Sequence, residues 1–363
     1  MRARVPQSIR RHPGRLSFAH PNPIVVPADL NTLEHELSEP TDATVALFTR
    51  LEGDVLILGA GGKMGPSLAR LAARSARRSG RPRRILAASR FSEPGVRTAL
   101  SELGIETLAV DLLDRPAVAR LPEASNLIFM AGQKFGTADG PERTWAINVL
   151  LPSIVAERYP SSRLVAFSSG NVYPLRPAEG PGPNETVPPA PVGEYAQSVL
   201  GRERVLAFHS ARSGTAMAIL RLNYAVEPRY GVLRDLADRI MAGEALSLGM
   251  PAVNLIWQRD ANAVALLALE LCASPPTVLN LTGARHSVRW LAERLATALG
   301  RPVRFEGPEG TTALLSDPSR ACRLFGEPPT GIETMIERVA AWVLDGGPSL
   351  EKPTHFEERE GRF

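Results

Sequence analysis

Residues 55–65 read VLILGAGGKMG, an apolar run feeding straight into a glycine cluster. Leu56, Ile57 and Leu58 show no polar alternation, as in a strand buried on both faces of a parallel sheet. Gly59, Gly62 and Gly65 follow at three-residue spacing, and residues 67–76 continue as an amphipathic helix. Strand, glycine turn and helix in this order predict a dinucleotide-binding βα unit over Gly59, Gly62, Lys63, Met64 and Gly65. The first glycine allows the tight turn, the second lets the backbone approach a pyrophosphate, and the third lets helix and strand pack closely. The helix amides and dipole then face the phosphates.

The rest of the chain repeats the alternation. Further strands are predicted at 84–88, 106–110, 126–130, 164–167, 216–222 and 277–281, with helices at 142–158 and 194–213. This pattern gives an α/β fold, a doubly wound parallel Rossmann sheet with a smaller C-terminal substrate lobe. The expected organisation is a disordered basic leader over 1–28, a helical extension over 29–53, and a Rossmann domain over 54–222 to which 257–283 return. Residues 223–256 and 284–345 form the lobe, and 346–363 a tail. In the extension, 30–37 and 41–51 read as short helices packed outside the sheet, the second capped by Thr41 or Asp42. Residues 174–191 hold seven prolines, too many for a helix or central strand, and read as a stiff surface loop.

Composition narrows the function. Five of the 42 Lys and Arg residues fall in 1–28, which hold no acid, so the remaining basic residues nearly balance the 38 acidic ones. The arginines between Arg70 and Arg84 read as the solvated face of one helix, and nucleic-acid binding is not expected. No apolar stretch reaches the ~20 residues of a membrane span. Two cysteines far apart, Cys272 and Cys322, fit a reducing compartment and a cytoplasmic location. The six histidines show no metal spacing, so no metal is expected.

Several blocks together resemble the extended short-chain dehydrogenase/reductase family, the nucleotide-sugar epimerases and dehydratases. They are GAGGKMG at 59–65, VDLLD at 110–114, MAGQKFG at 130–136, Asn148 in INVLLP, FSSGNVYP at 167–174 and EYAQSVLGRER at 194–204. The resemblance spans about residues 54–344 and implies hydride transfer on a sugar-type small molecule. It also implies a Ser and a Tyr that hold the reacting oxygen, here Ser169 and Tyr195. A lysine one helical turn after the tyrosine would bind ribose and lower the phenol's pKa; this chain has Val199 there. Ala131, Gly132 and Asn148 would line the cofactor, and Asp111-Leu112 would sit near adenine. The helices at 142–158 and 194–213 resemble a pair that forms a homodimer interface in the family.

The missing lysine leaves two readings. Either another cation serves Tyr195, or the fold binds cofactor without turnover, as a sensor or scaffold. The chain has three lysines, Lys63, Lys134 and Lys352, against thirty-nine arginines. Lys134 lies in the loop after the fourth strand, in AGQKFG, and is the candidate for the local positive charge, a compact ammonium with a shiftable pKa. The second strand ends in Ser89-Arg90 with no acid for the adenosine ribose. With Lys63 nearby this favours NADP slightly over NAD. Arg221, Arg229 and Arg285 are further candidates to grip a phosphate or carboxylate, against the alternative of ordinary ion pairs.

Overall fold

Apolar runs that alternate with amphipathic helices must be covered on both faces, and a computed structural model shows how this chain does it. The structure describes residues 29–137 and 139–363; the leader expected over 1–28 lies outside them. Seven strands form one sheet: β1 Val55–Leu58, β2 Ile85–Ser89, β3 Glu106–Ala109, β4 Asn126–Phe129, β5 Arg163–Ser169, β6 Met217–Leu222 and β7 Thr277–Leu281. Their spatial order is β3-β2-β1-β4-β5-β6-β7, every neighbour parallel. Val55 pairs with Ile85 on one side and Asn126 on the other, so the order reverses beside β1. Such a switch point opens a crevice at the carboxyl ends of the strands.

Side chains along β1 alternate between two cores. Val55 and Ile57 join Leu47, Phe48 and Leu68 on one face, while Leu56 and Leu58 join Ile154, Val155 and Tyr159 on the other. The third core, around buried Trp257, belongs to the lobe, whose helices Val232–Met241, Val288–Leu299 and Ile332–Leu344 pack on one another.

The two N-terminal helices part company. Asp42–Arg50 packs outside the sheet against the Gly65–Arg78 helix, as expected. Thr41 caps it: its hydroxyl accepts from the Thr44 amide at 3.2 Å, and Thr44 Oγ1 accepts from the Thr41 amide at 3.1 Å. Leu30–Glu36 does not pack on the sheet. Leu33 and Leu37, one turn apart, enter the lobe core, and Glu34 and Glu36 pair with Arg229 and Arg338.

The arginines expected as a solvated face are mostly tethers. Arg74 and Arg78 both pair with Glu39, and Arg83 donates to the carbonyls of Leu51 and Phe48. The single helix expected at 142–158 is also interrupted. It runs as Pro141–Trp145, a π-helical turn at Ala146–Leu150, and Leu151–Arg158. Pro152 has no N–H for the carbonyl of Asn148 four residues back, and Arg202 Nε donates to that carbonyl instead at 3.2 Å.

Because the 42–50 helix closes one face of the sheet, Phe48→Ala is expected to cost about 3–5 kcal/mol through the cavity it leaves. Urea unfolding checks this: a loss below ~1 kcal/mol would mean the extension is an appendage.

Candidate active site

The crevice begins at the turn after β1. Gly59 has φ +91°, and a Cβ there would lie 2.5 Å from the Ala131 amide nitrogen at the end of β4. At Gly65 a Cβ would lie 2.6 Å from the Ala60 Cα, so only glycine lets the helix start against the turn. Gly62 is exposed and faces no such wall. Met64, the N-cap, makes no side-chain cap; Gly65 donates to the Gly62 carbonyl, Pro66 has no N–H and Leu68 donates to the Met64 carbonyl, so within the first turn the Ser67 amide is the one left for a ligand. These residues fit a dinucleotide pyrophosphate.

The loop after β4 is held in shape by Asn148. Its Oδ1 accepts from the Gln133 amide at 3.0 Å, and its Nδ2 donates to the Gln133 carbonyl and to Ser198 Oγ, each at 2.9 Å. The π turn that carries Asn148 thus ties the Ala131-Gly132 segment to the Gly193–Ser213 helix.

Ser169 ends β5 and Tyr195 opens that helix, and the two side chains meet. Ser169 Oγ donates to Asn171 Oδ1 at 3.0 Å and accepts from the Asn171 amide. Burial pushes the Tyr195 phenol above its ordinary pKa, while a hydrogen bond with Ser169 and the charge of Arg202 pull the other way. Val199 lies in an apolar cluster with Val172 and Tyr173, against which Tyr195 packs. Sequence reasoning missed Arg202, although it stands two helical turns after Tyr195 on the same face. Its guanidinium is buried and donates to the Phe167 carbonyl at 2.7 Å and Asn148 Oδ1 at 2.8 Å. Among the described residues no carboxylate pairs with it, and burial lowers its pKa to about 10.

Lys134 lies across the Phe363 ring from Tyr195. Its ammonium donates to the Thr354 carbonyl at 2.7 Å and lies 4.5 Å from the Phe363 ring centroid. The same Phe363 ring packs edge-on against Tyr195 at 5.5 Å. Burial lowers the Lys134 pKa to about 8. The expected tail is therefore a strap across the crevice. Thr137 donates to the Phe363 carbonyl, Arg359 to the carbonyls of Gly249 and Thr312, and Thr354 to Asp235. Nothing in the strap's sequence signalled this return except its aromatic residues Phe356 and Phe363.

Other candidates are occupied elsewhere. Arg221 is locked in a buried pair with Glu203, at 2.9 and 2.7 Å, and also donates to Tyr173 Oη. Arg229 pairs with Glu227 and Glu34. Neither guanidinium is available to an outside anion. Arg285 donates to the Ala178 carbonyl and borders a cavity of about 330 Å³ with Glu179 and Glu309. Asp111 caps its own turn, accepting from the Leu113 amide at 3.0 Å, and Leu112 is buried in the core. Ser89 faces Gly61 in the glycine turn, and Arg90 is exposed with no ion-pair partner among the described residues. Lys63 turns toward Tyr230 and Phe135 rather than toward Arg90.

Comparison with known proteins agrees with this architecture. The model of the NAD dependent epimerase/dehydratase family matches residues 55–281. The chain belongs to this family. Solved structures similar to it include the UDP-glucose 4-epimerase of Thermus thermophilus in complex with NAD, at 21% identity and TM-score 0.66. That match covers 81% of this chain and 99% of the other. Bordetella bronchiseptica WbmG in complex with NAD is 22% identical with TM-score 0.69, covering 84% of this chain and 98% of its own. A Bacillus cereus UDP-glucuronic acid 4-epimerase, in complex with UDP-glucuronic acid and NAD, is 15% identical with TM-score 0.66, covering 80% and 98%. Among curated protein sequences none matches. No described helix is long and apolar enough to cross a membrane.

The Glu203 carboxylate under β5 and β6 makes a stability prediction. Glu203→Ala leaves Arg221 buried without its partner and is expected to cost about 3–5 kcal/mol, read from urea unfolding. A loss under ~1 kcal/mol would mean that Tyr173 and water satisfy the guanidinium.

Proposed function

We propose that the chain is an NAD(P)-dependent oxidoreductase or epimerase acting on a sugar, sugar acid or nucleotide-sugar. The observation that carries this reading is Ser169 beside Tyr195 at the carboxyl edge of the sheet, with Lys134 on the far side of the Phe363 ring that packs on Tyr195. The backbone of Gly59, Gly62, Lys63, Met64 and Gly65 would hold the dinucleotide, with Ala131 and Gly132 walling the crevice. A nicotinamide cofactor held there would supply the acceptor and donor of a hydride for a sugar carbon.

Ser169 donates a hydrogen bond to the reacting sugar oxygen, and Tyr195 takes its proton on oxidation and gives it back on reduction. A phenol of ordinary pKa ~10 is ionised in only about one molecule in several hundred near neutral pH. Burial makes this worse for Tyr195, and Val199 offers no charge. Lys134 supplies the local positive charge, with Arg202 as a second cation acting on the phenol. The relatives whose names include UDP-glucose and UDP-glucuronic acid support a nucleotide-sugar here too.

Arg90, exposed and unpaired among the described residues beside Ser89, favours NADP, although the similar structures named above hold NAD. The exposed side chains of Leu150 and Phe208, on the two helices beside the site, support a homodimer. A second reading, a binding module without turnover, is favoured by Val199 alone.

Two outcomes are expected. Lys134→Met should abolish turnover on a nucleotide-sugar panel while NAD titration shows cofactor still bound. Turnover indifferent to Lys134 would sink its role, and no turnover by the parent protein with intact cofactor binding would favour the module. Arg90→Ala should weaken NADP more than NAD by about 1–3 kcal/mol, measured by fluorescence titration. Equal loss for both would mean that Arg90 only stacks on adenine.

A further inference from the structure

Two glycines cross where the strap meets the helix that carries Tyr195. Gly361 has φ +75°, and a Cβ on it would lie 2.6 Å from the Gly193 Cα. Gly193, two residues before Tyr195, has φ +79°, and a Cβ there would lie 2.6 Å from the Gly361 Cα. Both must be glycine for the two backbones to touch. Two residues on, the Phe363 carbonyl accepts from the Thr137 amide at 3.0 Å and the Thr137 hydroxyl at 3.1 Å. Residues 361–363 therefore bridge from the start of the Gly193–Ser213 helix to the loop after β4. Those two segments carry Tyr195 and Lys134, and the bridge lays the Phe363 ring between them. Its centroid is 5.5 Å from that of Tyr195 and 4.5 Å from the Lys134 ammonium.

The two parts of the strap are held differently. Residues 354–359 belong to the lobe. Phe356 is buried in its core, Thr354 bonds Asp235, Glu357 pairs with Arg239 at 2.8 Å, and Arg359 donates to the Gly249 and Thr312 carbonyls. None of residues 360–363 joins that core, and Glu360 and Arg362 are exposed and pair with each other at 3.0 Å. The bridge is thus a short span with a firm base, held by one glycine crossing, one carbonyl and one ring. Spans held in this way open before the elements they rest on. While the bridge is in place, a ligand entering between the helix start and the β4 loop meets a backbone it cannot pass.

We propose that residues 361–363 are an autoinhibitory gate, which pivots at Gly361 and must leave Tyr195 before a substrate binds there. The inference rests on the reading of Tyr195 and Lys134 as working groups. The base of the strap stays on the lobe while the gate opens, so the movement is confined to the residues past Glu360.

Lysine labelling tests the gate without a substrate. Lys63, Lys134 and Lys352 are resolved by mass spectrometry after trace acetylation of the full chain, and a pH series separates the exposure of each amine from its charge. Gly361→Ala cannot make the crossing, and Phe363→Ala removes the ring. Each is expected to raise the rate of the neutral Lys134 amine by about fivefold or more, as the open population grows. The Lys134 pKa, held at about 8 by burial, should move up toward that of ordinary lysine. Lys352, on the base of the strap, should not change. Gly346→Ala is the control: with φ +71° and nothing within 4 Å of its Cβ position, it adds strain without a collision and should leave Lys134 covered. A Lys134 rate unchanged in both gate variants, raised equally by Gly346→Ala, or raised together with that of Lys352 would overturn the gate. Calorimetry with UDP-glucose on the NAD-saturated chain then separates a gate from a wall of the site. A gate closed in about nine molecules of ten weakens a ligand about tenfold, so Phe363→Ala should bind more tightly by about that factor. Equal or weaker binding would overturn the inference, because Phe363 would then be a bystander or part of the ligand's own site. If neither protein binds UDP-glucose while Lys134 is uncovered in both gate variants, the gate stands and the sugar-nucleotide reading falls.

Discussion

The closeness of Gly59 to Ala131 governs the rest of the molecule. At φ +91° the chain turns where any side chain would strike the end of β4, so the glycine turn and the β4 loop must lie against each other. That contact sets the floor of the crevice at the point where the strand order reverses. It also fixes where the next residues can go. Gln133 is pinned at both its amide and its carbonyl by Asn148, and Lys134 follows immediately. The position of one lysine therefore descends, through two hydrogen bonds and a π turn, from a glycine some seventy residues earlier.

Behind the crevice, buried charge is treated in two ways. Arg221 is balanced by Glu203, and Arg229 by Glu227 and Glu34, arrangements in which desolvation is offset by short bonds to carboxylates. Arg202 is buried as deeply, yet its bonds go to carbonyl and amide oxygens of Asn148 and Phe167. Neutral oxygens solvate the guanidinium without cancelling its charge. The field that remains acts on the nearest group able to become an anion, the Tyr195 phenol. Arginine two turns along thus places a positive charge on the phenol's side where valine one turn along places none.

The sheet was legible because parallel strands buried on both faces must be written as apolar runs, and all seven fall within about two residues of their expected positions. The glycine turn, Ser169 and Tyr195 were legible because strand ends and helix starts are local features. What escaped was non-local. The break at Ala146–Leu150 had a visible cause in Pro152, but the donor that compensates, Arg202, lies fifty residues away. The 30–37 helix has an apolar stripe equally suited to sheet or lobe; Leu33 and Leu37 enter the lobe core and Glu34 and Glu36 pair with Arg229 and Arg338 there, while Glu34 also lies 3.8 Å from Arg70 of the Gly65–Arg78 helix. The arginines of 70–84 look solvated in sequence because their partners, Glu39 and the carbonyls of Leu51 and Phe48, belong to another segment.

The strap is the extreme case of that non-locality. Its residues are polar, short in apolar content and rich in charge, the composition of a solvated tail. Yet Phe356 is buried, and Thr354, Arg359 and Phe363 each reach a different wall of the crevice. The contacts are mainly single hydrogen bonds and ring edges rather than a continuous apolar face. Individually these are worth about 0.5–1.5 kcal/mol each, so no one of them specifies the path. Their sum does, because each anchor shortens the chain left free to wander before the next. Segments held this way sit at the low-stability end of a fold. Such a segment lays Phe363 on Tyr195 and the Thr354 carbonyl on Lys134, so a strap held by scattered single contacts closes over the candidate site.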